Sequence, residues 1–159
     1  MTITTTGATP WLTDDEQLTW RRWLALTTQL PARLNRELQR GSELSLSDFD
    51  VLVQLTDDTT GRIRIAQLAE ALAWERSRLS HHITRMAGRG LVEKEECLDD
   101  ARGSFVVLTE AGREAIERAA PAHVRTVRST FFDALSPEDV VALGEISERI
   151  LARLRSSVP

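Results

Sequence analysis

Apolar residues recur at helical spacing near both ends of the chain, while alternating, strand-like runs are confined to its middle. The N-terminal series consists of Leu18, Trp20, Trp23, Leu24, Leu30, Leu34 and Leu38. The C-terminal series consists of Val140, Leu143, Ile146, Ile150, Leu151 and Leu154. Thr13 and Glu16 form a capping-box pattern before the first series, and Gly41 follows it. We therefore expect a long helix at each end, the first one bent or split at Pro31.

The middle of the chain predicts a run of short elements. They are helices at residues 47 to 56, 66 to 73 and 76 to 86, and strands at residues 62 to 65, 91 to 97 and 104 to 108. Thr109 and Ser136 stand at N-cap positions, so a long helix is expected from Thr109 to about Ala134 and another after Ser136. Helix, helix, strand, turn and strand in this order are the layout of a winged helix-turn-helix. The predicted fold class is mainly α with a small β wing.

The helix at residues 76 to 86 has two chemically different sides. Because a helix turns by about 100° per residue, Leu79, Ile83 and Met86 fall on one side and a polar set on the other. We take this outward set as candidate DNA contacts: Arg76, Ser77, Arg78, Ser80, His81, Thr84 and Arg85. Arginine pairs bidentately with guanine, and hydroxyl or imidazole groups reach base edges or phosphates. The alternative is a solvated helix face that is merely basic.

The turn between the last two strands carries the other candidate DNA contact. Residues 98 to 103 are rich in turn-forming residues and place Arg102 near the tip of the hairpin. An arginine held there can enter a narrow minor groove, where the negative potential is strongest. Asp99 or Asp100 could orient its guanidinium through a charge-assisted pair, although an ordinary acidic turn is the preferred interpretation of both aspartates.

The charge of the chain is concentrated rather than spread. Its net charge of -4 argues against a general basic coat for nucleic acid. Residues 74 to 90, however, contain four arginines and one glutamate, besides two histidines. Any affinity for DNA must therefore come from this local patch, which is where the motif places the major groove.

The sequence gives little support for other classes of function. It has no glycine-rich phosphate loop, nucleophile elbow or pair of metal-spaced histidines, so we expect no enzyme, no cofactor and no metal. The single cysteine, Cys97, excludes an internal disulfide and is read as structural or incidental. No apolar run approaches the roughly 18 residues of a membrane span, and we expect a cytoplasmic protein without a membrane partner. A winged helix that binds protein instead of DNA is the remaining alternative.

The sequence resembles the MarR family of winged-helix regulators over roughly residues 12 to 155. The matching segments are residues 44 to 52, 66 to 73, 76 to 86, 89 to 92, 99 to 103 and 108 to 112. The resemblance implies one domain over residues 1 to 159, with dimerisation helices at 12 to 42 and 114 to 156 and a DNA-binding unit at 47 to 112. It also implies a homodimer that binds a pseudo-palindromic site in double-stranded DNA, acts as a repressor and responds to a small aromatic or anionic effector.

Four aromatic side chains are candidates for the wall of an effector pocket. They are Trp20 and Trp23 in the first helix, and Phe131 and Phe132 in the fifth. The resembled family often holds such a ligand between its helical region and its winged unit. Core packing is the competing interpretation, because aromatic residues at helical spacing usually serve the core.

Overall fold

A computed structural model describes residues 10 to 96 and 103 to 156 of the chain. In chain order its elements are α1 (Asp14–Gly41), α2 (Leu46–Asp57), β1 (Arg62–Arg64), α3 (Ile65–Ala71), α4 (Arg76–Gly88), β2 (Val92–Glu96), β3 (Ser104–Leu108), α5 (Glu110–Thr130), a single 3₁₀ turn (Phe132–Ala134) and α6 (Pro137–Ser156). Helices and a small sheet in this order confirm the predicted fold class. The chain divides into two compact units, residues 1 to 33 and residues 34 to 159.

The first unit contains the N-terminal part of α1. The predicted capping box is present, since the Thr13 amide donates to Glu16 Oε2 at 2.7 Å and the Glu16 amide donates to Thr13 Oγ1 at 3.2 Å. The helix runs through Pro31 as one element, so the predicted split is wrong. A proline removes only one backbone hydrogen bond, and the many bonds on either side keep a helix of this length continuous.

The core of the second unit lies where α2, α3 and α4 meet the sheet. Leu52, Leu55, Leu68 and Val106 are among its fully buried side chains. The strands pair antiparallel in the order β1-β3-β2. Helix α2 begins at Leu46, one residue before the predicted range, because Ser45 is its N-cap and forms a capping box with Asp48.

A tight turn joins α3 to α4. Helix α3 ends at Ala71, before the predicted Ala73, because Ala73 takes a left-handed conformation with φ of 52°. The Ala73 amide donates to the Glu70 carbonyl at 3.0 Å, and the Trp74 amide donates to the Ala69 carbonyl at 2.9 Å. These bonds close the end of α3 and set the direction in which α4 leaves.

The last two helices have the predicted caps. Thr109 Oγ1 accepts from the Gly112 amide at the start of α5, and Ser136 forms a reciprocal box with Asp139 before α6. Helix α5 ends at Thr130, so the expected extension to Ala134 is wrong: the chain tightens there into the 3₁₀ turn, with Phe131 at the helix end and Phe132 in the turn. Helix α6 has no buried residue in the single subunit. Among the described residues, no helix has the length and apolar content needed to cross a membrane.

Candidate nucleic-acid interface

Helix α4 separates a buried apolar side from an exposed polar side. Leu79, Ile83 and Met86 are completely buried against the core of the second unit. Of the predicted DNA contacts on this helix, Ser80 is half-buried and the others are exposed: Arg76, Ser77, Arg78, His81, Thr84 and Arg85. The packing of the apolar side thus fixes which way the polar side faces, and it leaves the arginines accessible to a ligand outside the protein.

A buried hydrogen-bond network connects α4 to the start of α2. His82 and Asp48 are only 7% and 3% exposed, and His82 Nε2 lies 3.0 Å from Asp48 Oδ1. Arg89 Nη1 donates to Asp48 Oδ2 at 2.8 Å, and Arg89 Nη2 donates to the Glu43 carbonyl at 2.6 Å. The Ser45 amide donates to Asp48 Oδ2 at 2.9 Å. One buried carboxylate therefore holds both α4 and the residue that follows it in place.

The surroundings of Asp48 favour its charged form. Burial by itself would raise the pKa of Asp48, but hydrogen bonds from His82, Arg89 and Ser45 outweigh burial and hold the pKa well below its ordinary value. A buried carboxylate with this many donors is ionised at neutral pH and stabilises its partners only while it stays ionised.

Two aromatic rings contact the exposed arginines of α4. The guanidinium carbon of Arg78 lies 4.5 Å from the centroid of the Trp74 ring, which is a cation–π arrangement. Arg85 Nη2 lies 2.9 Å from His82 Nδ1. The Trp74 and His82 rings meet edge to face, with centroids 5.5 Å apart and planes at 87°.

The hydroxyl of Thr84 is already engaged by the protein. It donates to the Ser80 carbonyl at 2.9 Å and accepts from Lys94 Nζ on β2 at 2.6 Å. Its hydrogen is therefore not free for a base or phosphate, and Thr84 retains only a lone pair and a methyl group for DNA. Lys94 also brings a positive charge from the sheet to the edge of α4.

The outer face of the sheet carries a second basic cluster. The guanidinium carbons of Arg62 and Arg64 lie 3.4 and 4.9 Å from the centroid of the Phe105 ring. Arg62 Nε also pairs with Glu95 Oε2 at 2.8 Å. These contacts tie β1 to the base of the hairpin. Arg102, Asp99, Asp100 and Cys97 lie outside the described residues.

A cavity of about 240 Å³ opens within the second unit, between the end of α1 and the middle of α5. Its lining includes Glu37, Arg40 and His123. His123 packs on Phe49, and its Nδ1 is buried without a hydrogen-bond partner among the described residues. Burial lowers the pKa of His123, and nearby Asp50 partly offsets this effect. None of the four aromatic residues predicted as a pocket wall lines this cavity.

Known proteins are similar to this chain in sequence and in overall fold. A family model described as the MarR family matches residues 44 to 104. AbsC, a MarR family transcriptional regulator from Streptomyces coelicolor, is 42% identical, with a TM-score of 0.86 over 94% of this chain and 100% of its own. The chain belongs to the MarR family. It is a transcriptional regulator and not an enzyme.

Two further matches extend the comparison. Sco3205 from Streptomyces coelicolor, solved in complex with DNA, is 40% identical with a TM-score of 0.85, over 91% of this chain and 94% of its own. A helix-turn-helix-type transcriptional regulator from Bacillus cereus is 29% identical over 84% of this chain and 86% of its own. The predicted family is therefore confirmed.

Sequence reasoning missed the residues that support the candidate interface of this MarR-family chain. Asp48 lies far from His82 and Arg89 in sequence, and only the folded structure brings the three side chains together, with Asp48 and His82 buried and Arg89 partly exposed. Trp74 carried a usable signal, because it stands four residues before Arg78 and an aromatic ring at that spacing can contact the arginine. No sequence pattern pointed to Lys94, the only lysine of the chain.

Proposed function

We propose that this MarR-family protein is a repressor that binds a pseudo-palindromic site in double-stranded DNA as a homodimer. The observation that carries this proposal is the exposed polar face of α4, whose arginines stand over a completely buried apolar side. A helix of this kind fits the major groove, where arginine reads guanine. The complex of the similar protein Sco3205 with DNA supports the same use of the fold.

The proposed contacts lie in both grooves of the DNA. Arg76, Ser77, Arg78, Ser80, His81, Thr84 and Arg85 face the major groove, and Arg102 reaches the minor groove from the wing. Two bound subunits would block access of other proteins to the same DNA, which is the simplest route to repression. Among the described residues of α4, no large apolar side chain is exposed, so this face lacks what a protein-binding surface usually offers.

The first prediction concerns Arg85. If its guanidinium reads a guanine, Arg85→Ala should weaken binding to a selected duplex by about 1 to 3 kcal/mol and weaken binding to a shuffled duplex much less. Fluorescence anisotropy at one fixed salt concentration measures both affinities. Equal losses on the two duplexes would show that Arg85 contacts only the phosphate backbone.

The proposed dimer rests on apolar surface at both ends of the chain. Exposed side chains of α1 include Leu18, Trp20, Trp23, Leu24 and Leu26, and those of α6 include Val141, Ile146, Ile150, Leu151 and Leu154. Each set lies on a long amphipathic helix, and neither set is covered within its own unit. Such surface is costly in water and is typical of helices that pack against a second subunit.

The second prediction tests this dimer. Ile150 is 54% exposed in the single subunit, so Ile150→Glu should leave the subunit core intact while placing a carboxylate in the subunit interface. Light scattering at micromolar concentration should then report a monomer where the unchanged protein is a dimer. Arg149→Glu, which adds the same carboxylate at a neighbouring exposed position, is the control. A dimer that survives Ile150→Glu would exclude α6 from the interface.

We also propose that a small aromatic or anionic effector releases the DNA. The effector must bind the DNA-incompetent state more tightly, and a tenfold loss of DNA affinity requires about 1.4 kcal/mol of that difference. Two places are proposed for it. One is the predicted wall of Trp20, Trp23, Phe131 and Phe132; the other is the cavity at His123, whose buried Nδ1 is available to a polar ligand.

The third prediction separates these two places. Salicylate, used as the probe, should weaken the DNA complex over one concentration range, and a substitution in its site should blunt that response. Trp23→Ala tests the aromatic wall and His123→Phe tests the cavity, with DNA affinity in the absence of salicylate as the reference for each variant. If salicylate and a wider panel of aromatic acids leave the DNA complex unchanged, release by this class of effector is wrong.

A further inference from the structure

We propose that His82 and Trp74 are positioning residues, which hold the guanidinium groups of Arg85 and Arg78 ready to read bases. The proposal rests on the proposed DNA-reading role of α4 and adds to it the means by which the two arginines are oriented. Arg78 and Arg85 are seven residues apart, which is about two helical turns, so they lie along one stripe of the helix. Each of them contacts a ring that belongs to the protein.

The contact between Arg85 and His82 fixes the hydrogen positions on the imidazole. A guanidinium group has donors only, so the His82 Nδ1 atom that Arg85 Nη2 approaches at 2.9 Å must be the acceptor. The ring hydrogen of neutral His82 then lies on Nε2, which is 3.0 Å from the buried carboxylate of Asp48. The negative charge of Asp48 beside Nε2 favours the form of His82 that carries its hydrogen there and can accept from Arg85 at Nδ1.

The contact between Arg78 and Trp74 orients the second guanidinium. Trp74 follows the tight turn at Ala73 and presents its ring face to Arg78 one helical turn later. Its ring also meets the His82 ring edge to face, so the two holding groups support each other. The line of contacts runs from Asp48 in the core through His82 and Trp74 to both exposed arginines.

This arrangement matters because reading guanine requires a defined guanidinium plane. A free arginine samples many rotamers, and DNA binding must fix one of them at a cost in entropy. An arginine already held by a ring loses less on binding, while enough of its five N–H donors stay free for a bidentate pair. Contacts to phosphate are less demanding in geometry. The positioning should therefore improve affinity for the right sequence more than affinity for any DNA.

A double-mutant cycle on His82 and Arg85 tests the proposal. The DNA is a duplex selected by the unchanged protein from a randomised pool, together with a shuffled duplex of equal length and composition. The quantity is the ratio of the two affinities, which does not depend on the fraction of folded protein. Arg85→Ala should lower the ratio about 5- to 150-fold, the range of a lost bidentate base contact. His82→Phe, which keeps a ring beside Trp74, should lower it about 3- to 10-fold, the cost of fixing one long side chain.

The expected signature is that His82→Phe has no further effect on the ratio in the Arg85→Ala background. His82→Gln should restore most of the lost ratio, because its amide offers one acceptor and one donor as the neutral ring does. The same cycle applies to Trp74 and Arg78. Trp74→Leu should lower the ratio of affinities by itself and have no further effect in the Arg78→Ala background. Combining His82→Phe with Arg78→Ala is the matched control, and there the two effects should add.

Three results would overturn the proposal. An unchanged ratio in His82→Phe would show that Arg85 needs no holding group. If His82→Phe lowers the ratio by the same factor with Arg85 present and in the Arg85→Ala background, His82 only supports the core and does not position Arg85. An unchanged ratio in Arg85→Ala alone would overturn the positioning together with the base-reading role of Arg85, whereas the first two results leave that role standing.

Discussion

Gly112→Ala is expected to destabilise the protein by about 3 kcal/mol, at the upper end of what overpacking costs. A Cβ atom at Gly112 would lie 2.1 Å from the Leu91 carbonyl oxygen and 3.0 Å from Leu108 Cδ1. The carbonyl belongs to the backbone where the chain enters β2, so it cannot move aside as a flexible side chain would. The start of α5 and the start of the wing would have to separate, and both belong to the core of the second unit.

The measurement is the midpoint of urea unfolding at one fixed protein concentration, since assembly of subunits adds to apparent stability. Gly88→Ala is the matched control. A Cβ at Gly88, the last residue of α4, meets nothing within 4 Å, so this substitution should be neutral or stabilise by about 0.5 to 1 kcal/mol. Equal midpoints for the two alanine variants would mean that the approach of α5 to Leu91 is looser than the structure indicates.

The importance of Gly112 illustrates what the sequence predicts and what it omits. The cap at Thr109 and the helix after it follow from local chemistry, because a hydroxyl before an amphipathic run satisfies free N–H groups at the start of a helix. The close approach of Gly112 to Leu91 depends on two elements that are distant along the chain, and no periodic pattern encodes it. The end of α5 was misplaced for a similar reason, since the 3₁₀ turn at Phe132 follows a continuous helical pattern.

The candidate site likewise has a part that local sequence patterns predict and a part that depends on tertiary contacts. Periodicity placed Leu79 inside and Arg78 and Arg85 outside, and the structure has the same arrangement, because one face of a helix must pack on the core. Periodicity also assigned His81, and not His82, to the outward side, and the structure has His81 exposed and His82 buried. The position of His82 beside Asp48 of α2 depends on tertiary structure and could not be predicted from the pattern. Contact of any of these residues with DNA stays a prediction.

Asp48 gives the other large expected effect, because its substitution leaves buried groups without a partner. Asp48→Ala removes the carboxylate that contacts His82, Arg89 and the Ser45 amide. Breaking a buried charged pair costs about 3 to 5 kcal/mol, and Arg89 should recover part of this because its side chain is 41% exposed and can rehydrate. A loss of about 3 kcal/mol in urea unfolding is therefore expected. Asp48→Asn, which keeps the shape of the side chain, should lose less.

The pH dependence of stability provides a sharper test, because it separates the charge of Asp48 from its shape. A carboxyl group whose pKa is lowered by folding stabilises the folded state above its ordinary pKa of 3.8, and this contribution is lost as the pH falls through the lowered value. Removing the group with Asp48→Asn should therefore flatten the loss of stability between about pH 5 and pH 3.

Asp50 is the matched control on the same helix, because its shift has the opposite sign. Burial raises the pKa of Asp50, and the charge of His123 only partly offsets this effect. The folded state thus binds a proton at Asp50 more readily than the unfolded state does, so Asp50 gains stability as the pH falls. As the pH falls, Asp50→Asn should therefore make the free energy of unfolding decrease more steeply, whereas Asp48→Asn should make it decrease less steeply. If Asp48→Asn leaves the slope unchanged or steepens it while Asp50→Asn behaves as expected, the hydrogen bonds to Asp48 do not determine its ionisation, and the network that supports α4 is held together by shape rather than by charge.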